Sequence, residues 1–108
     1  MIVVELATKE LQYWYITPLE EIKGKLPFPK EILKQYKKRI VLLRGLRSTN
    51  ELKQFKGLNF EKLKGDLKDF CSIRLNDQYR LIFKIIESKD GKVKIEIVHV
   101  TEISKHYE

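Results

Sequence analysis

Residues 63–83, L-K-G-D-L-K-D-F-C-S-I-R-L-N-D-Q-Y-R-L-I-F, alternate polar and apolar side chains and break once. Such alternation marks strands with one buried face, and a single break in it marks a hairpin. Asp77, Gln78 and Tyr79 read as a three-residue loop, which sets Asn76 opposite Arg80, Leu75 opposite Leu81 and Ile73 opposite Phe83. One face is then wholly apolar: Cys71, Ile73, Leu75, Leu81, Phe83 and Ile85. The other carries Ser72, Arg74, Asn76, Arg80 and Lys84, interrupted by Ile82. A two-residue loop would mix Arg80 into the apolar set, so burial selects the longer one. Arg74 and Arg80 are expected on the side of the sheet away from the core, with Lys64 beside the hairpin.

The rest of the chain supplies partners for that apolar face. Residues 2–6 are short, apolar and β-branched, which predicts a buried strand. Thr8 caps a predicted helix running to residue 15, with Leu11, Trp14 and Tyr15 on one stripe; the aromatic run from Tyr13 reads as core and not as a base-stacking platform. Thr17, Pro18 and Glu20 have the spacing of a capping box for a second short helix to about residue 22. Pro27 and Pro29 hold an extended linker. Over residues 30–46 Leu33, Tyr36, Ile40 and Leu43 recur at helical spacing. The remaining surface of that helix bears Lys30, Lys34, Lys37, Lys38, Arg39 and Arg44 against the single acid Glu31, a basic ridge suited to phosphate contact or an acidic partner. Ser48 and Glu51 repeat the capping box for a turn or two to about residue 55, and residues 60–64 read as a strand. Asp90 and Gly91 turn a second hairpin, between residues 79–87 and 92–101, in which Val93, Ile95 and Ile97 continue the core with His99 in line. The order predicts a single α+β domain over residues 1–108, its N-terminal strand and helices packed on one face of a mainly antiparallel sheet.

Charge narrows the partner. Lys and Arg number 22 against 15 Asp and Glu, a net charge of +7, which favours a polyanion and nucleic acid first. The one cysteine, Cys71, lies on the apolar face and reads as packing; its solitude fits a reducing compartment. No apolar run approaches ~18 residues and no signal-peptide pattern opens the chain, so a cytoplasmic protein without a membrane segment is expected.

The segments K-R-I-V-L-L-R, S-T-N-E-L, L-K-G-D, S-I-R-L-N-D-Q-Y-R-L-I-F and I-E-I-V, with a terminal H-Y, resemble the HigB branch of the RelE/ParE toxin superfamily. The resemblance covers about residues 30–108; before that, only the layout agrees. It implies a RelE-like fold and the toxin of a type II toxin-antitoxin pair that cuts messenger RNA on the ribosome, without metal or other cofactor. It also implies a cognate antitoxin, usually carrying a helix-turn-helix, through which alone operator DNA is reached. Within the superfamily a ParE-like inhibitor of DNA gyrase is the alternative; outside it, a non-catalytic protein that binds RNA or antitoxin.

By the same resemblance Lys64 is the lysine of the family's L-K-G motif, Gln78 a polar position of the hairpin and Arg80 the arginine beyond it. Glu61 stands where several relatives carry histidine and is a possible acid or base. The family's closing Asp-Tyr-His is replaced by Lys105, His106 and Tyr107, so aromatic and imidazole are swapped and the acid becomes a base. Cleavage without metal has the 2′-hydroxyl attack the adjacent phosphate, which requires a base, an acid and cations for the phosphorane charge. Arg80 suits the cation role through its planar fork. Lys64 serves as a second cation or, with cationic neighbours favouring loss of its proton, as base. His106 titrates near neutrality, and Tyr107 offers a ring for stacking on an unpaired base. Arg74, Asn76, Gln78, Lys34, Lys37 and Lys38 are the expected RNA contacts.

Overall fold

A computed structural model describes residues 1–105, with backbone alone at Asp90. Strand β1 (Ile2–Leu6) leads into helix α1 (Lys9–Ile16), and helix α2 spans Glu31–Gly45. Strands β2 (Glu61–Lys62), β3 (Cys71–Arg74), β4 (Tyr79–Asp90) and β5 (Val93–Lys105) follow. They form one five-stranded sheet of order β1-β5-β4-β3-β2, antiparallel except where β1 runs parallel to β5. The α+β layout expected from the element order is the one observed.

The apolar stripes locate the core. Ile32, Leu33, Tyr36, Ile40 and Leu43 of α2 are all fully buried, as the helical spacing requires. They belong to one cluster with Cys71, Ile73, Leu75, Leu81 and Phe83 of the hairpin and with Val98 and Val100 of β5. The Tyr36 hydroxyl donates to the Leu11 carbonyl at 2.7 Å and so ties α2 to α1. Thr8 caps α1 by accepting from Leu11 N–H, and Ser48 with Glu51 forms the expected capping box at the two 3-10 turns of residues 49–54.

Several expectations are corrected. The first hairpin pairs Ile73 with Leu81 and Arg74 with Arg80, two residues out of the expected register. The cause is Asn76, whose side-chain oxygen accepts from both the Gln78 and Tyr79 N–H groups at 2.8 Å and holds a longer loop. A shift of two leaves every side chain on its expected face. The Thr17 box does not form: Thr17 ends α1, its N–H bonded to the Tyr13 carbonyl, and only the single turn Leu19–Glu21 follows Pro18. The strand at 60–64 shrinks to Glu61–Lys62. β1 is an edge strand whose inner side chains are only half-buried.

On β5 the core set is Val98 and Val100 with Glu96 in line, while Ile95 and Ile97 lie on the opposite face. Both alternating sets of that strand are apolar in part, and β4 decides between them. Phe83 and Ile85 face the helices, so their ladder partners Val100 and Val98 must do so too. Glu96 is tolerated inside because it is a cap: its carboxylate accepts from the Thr49 N–H at 3.1 Å and from the Thr49 hydroxyl. Burial alone would raise its pKa, but those two bonds and the Ser48 hydroxyl together bring it below the ordinary glutamate value.

Candidate functional site

On the sheet face turned away from the helices, side chains stand in rows across the strands. One row runs Glu61, Ser72, Ile82, Glu102 from β2 to β5; the next runs Arg74, Arg80, Ser104. Strand spacing of about 4.8 Å and a rise of about 3.4 Å per residue put the Glu61 and Arg80 backbones roughly 12 Å apart on the diagonal. Their side chains close much of that gap. Between the rows lies a cleft of about 190 Å³ lined by Glu61, Leu63, Ser72, Arg80, Ile82, Ser104 and Lys105. It combines a carboxylate, two cations and two hydroxyls, with Ser72 and Ile82 buried.

Arg80 is held from the side. Its Nη1 donates to the Asn59 carbonyl at 3.2 Å, and Asn59 is the sole non-glycine residue with positive φ, at +46°, among the described residues. The left-handed conformation ends the turn Lys56–Leu58, and Asn is one of the few side chains that adopts it readily. Across the ladder Arg74 forms an ion pair with Asp77, and the Arg74 carbonyl accepts from Arg39 Nε at 3.1 Å. Burial first, and the Arg74 charge second, lower the Arg39 pKa from its ordinary value. Three arginines thus converge at this end of the hairpin, Arg39 arriving from α2.

The other expected residues are dispersed. Lys64 is exposed, directly before the turn Gly65–Leu67, and Leu63, not Lys64, lines the cleft. Asn76 spends its side-chain oxygen on the hairpin loop, and Gln78 is exposed at its tip. Lys37 is used structurally: its Nζ donates to the Tyr15 and Thr17 carbonyls at 2.8 and 2.5 Å, neutralising the C-terminal end of α1. Arg44 likewise donates to the Tyr15 hydroxyl, so of the expected RNA-contacting lysines on α2, Lys34 and Lys38 stay exposed. His106 and Tyr107 lie outside the described residues.

Sequence reasoning did not select Ser72 or Ser104, and it placed Arg39 only on the basic ridge of the helix and not beside the hairpin. The hairpin alternation already put Ser72 on the face of Arg80, but a serine in a strand carries no signal of its own. Arg39 depends on how α2 meets the hairpin, which no local spacing encodes. A larger opening of about 350 Å³ on the helix side includes Lys53, Lys62, Lys68 and Cys71. Neither Arg74 nor Arg80 lines it, and burial pushes the Cys71 thiol pKa up, with Lys62 pulling it partly back. The thiol there is a packing group, as expected from its face.

Among the described residues no three His, Cys, Asp or Glu side chains gather as a metal-binding group, and no helix is long and apolar enough to cross a membrane. Over residues 23–99 the chain matches the family model described as RelE-like toxin of type II toxin-antitoxin system HigB. It is 33% identical over 84 residues to Toxin HigB-1 of Vibrio cholerae serotype O1, an alignment covering 78% of this chain and 84% of that one. In fold it is similar to a YoeB/ParE toxin from Agrobacterium tumefaciens, with a TM-score of 0.51 at 15% identity, over 97% of this chain and 99% of that one.

Proposed function

We propose that this chain, which belongs to the HigB-like family of RelE-like toxins of type II toxin-antitoxin systems, is an endoribonuclease that cuts messenger RNA on the translating ribosome. Membership of the family brings with it a cognate antitoxin; we infer that this antitoxin carries a helix-turn-helix and supplies all contact with operator DNA. The observation that supports the nuclease reading is the sharing of one cleft by Glu61 and Arg80 on the open sheet face.

The reaction needs no group beyond side chains. The Glu61 carboxylate takes the proton of a ribose 2′-hydroxyl, whose oxygen attacks the adjacent phosphorus. As that bond forms, the bond from phosphorus to the 5′-oxygen breaks, and His106 returns a proton to the leaving oxygen. The products are a 2′,3′-cyclic phosphate and a 5′-hydroxyl end. Arg80, held at one nitrogen by Asn59, turns the rest of its fork to the phosphorane oxygens, where charge builds in the transition state. Lys105 adds a cation in the cleft, the exposed Lys64 draws the phosphates from outside it, and Tyr107 stacks on a neighbouring base. The net charge of +7, with Lys34 and Lys38 exposed on α2, favours docking on ribosomal RNA.

The test is to express the protein briefly in cells and map 5′-hydroxyl ends on messenger RNA, beside the Arg80→Ala and Glu61→Gln forms. Cuts confined to translated frames, lost in both variants, and insensitive to chelator in a purified translation system are the expected result. Growth arrest without cuts would replace this reading with gyrase inhibition, and neither cuts nor arrest would leave a binding protein.

A further inference from the structure

Ser72 is fully buried, and its hydroxyl oxygen has no hydrogen-bond partner among the described residues. It is not a core residue: its neighbours Cys71 and Ile73 face the helices, while Ser72 is on the opposite face, at the floor of the cleft that holds Arg80. A buried hydroxyl without a partner destabilises the fold, so a strand gains nothing from serine there that alanine would not give. Directly across the ladder stands Glu61, whose carboxylate likewise has no hydrogen bond or ion pair among the described residues. An unspent donor and an unspent acceptor therefore face each other on adjacent strands.

Directly opposed antiparallel residues have β-carbons about 5 Å apart. Rotation about the Glu61 side-chain bonds is then enough to bring a carboxylate oxygen within reach of the Ser72 hydroxyl. In the open cleft water competes for that carboxylate; an RNA strand seated over it removes the water. We infer that Ser72 is a positioning residue for Glu61, donating to one carboxylate oxygen once RNA fills the cleft, so that the other oxygen is turned to the 2′-hydroxyl.

The bond does two things. It fixes the rotamer of an otherwise solvated side chain, and it favours the ionised carboxylate, the form that accepts a proton. The charged groups sharing that sheet face or cleft with Glu61 are Arg74 from β3, Arg80 and Lys84 from β4, and Lys105 and Glu102 from β5. None of them is altered by a change at Ser72. This inference rests on the nuclease reading and adds the residue that orients its base.

The experiment compares wild type, Ser72→Ala, Ser72→Thr and Glu61→Gln in a purified translation system, reading kcat, KM, the pH profile of cleavage and the melting temperature. Ser72→Ala is expected to melt no lower than wild type, since it removes an unsatisfied hydroxyl. It should lower kcat about tenfold at unchanged KM, the scale of a lost hydrogen bond to a charged group. It should also move the acid limb of the profile upward, while Ser72→Thr restores both. A Ser72→Ala protein with wild-type kcat and acid limb, in a system where Glu61→Gln is inactive, overturns the inference and leaves the nuclease reading standing. Wild type that does not cleave overturns both.

Discussion

Arg74 and Arg80 are direct cross-strand partners on the open face of the sheet, and among the described residues only Arg74 of the two has a carboxylate partner, Asp77. Like charges placed opposite each other weaken a ladder by up to about 1 kcal/mol. Arg80→Ala should therefore leave the melting temperature unchanged or slightly higher while cleavage falls 100-fold or more, the loss typical of a removed transition-state cation. Parallel melting curves and 5′-end counts check this; a large drop in stability would mean that Arg80 holds the fold and not the phosphate.

Asn59 points a carbonyl at Arg80 from a left-handed backbone. A β-branched residue there costs about 1–2 kcal/mol, whereas glycine adopts the conformation freely. Asn59→Val should melt lower and cleave several-fold more slowly, and Asn59→Gly should retain most of both. Denaturant titration and a single-turnover assay separate the two effects.

Glu61 and Lys64 are expected to fail differently. Glu61→Gln removes the proposed base and should cut kcat by 100-fold or more. Lys64→Ala, an exposed cation, should chiefly raise KM and flatten the salt dependence of RNA binding. Kinetics at several salt concentrations distinguish loss of chemistry from loss of attraction.

Glu96 couples folding to pH. Its pKa is lowered in the folded chain, so its contribution is complete above the ordinary glutamate value and is lost as the pH falls through the folded one. Glu96→Ala leaves the Thr49 N–H and hydroxyl unpaired and should cost about 2 kcal/mol near neutrality, with the deficit shrinking in acid. Urea melts from pH 7 down to pH 3 measure it.

Tyr36 is remote from the cleft and fully buried against α1. Burial, reinforced by Tyr15, raises its pKa well above the ordinary phenol value, which keeps the hydroxyl a donor to Leu11. Tyr36→Phe should lower stability by about 1 kcal/mol and leave cleavage per folded molecule unchanged. Thermal melts with activity normalised to the folded fraction test the separation.

What was legible in the sequence was whatever a period could carry. The stripe from Leu33 to Leu43 and the alternation from Cys71 to Phe83 each fixed a face, and those faces are the core. The loop length at Asn76 was misread because a side chain, not the backbone, sets it. Glu96 escaped because an acid between isoleucines looks solvent-facing until Thr49 arrives from 47 residues away. The face shared by Arg80 and Ser72 was readable from the alternation, though Arg80 is half-buried there, while its holder Asn59 and the nearby Arg39 come from segments that only the folded chain brings together.

The pairing of β1 with β5 also constrains when the sheet can be completed. Residues 2–6 find their partners only at residues 96–100, so β1 waits for β5. Contacts of such long sequence separation carry a large loop-closure cost and form late. A nascent chain thus passes through synthesis with the β1 side of the sheet open, and β5, which also lies beside β4 and contributes Ser104 and Lys105 to the cleft, is the strand whose arrival completes both. The order of strands in the sheet delays the assembled cleft until β5 itself has been made.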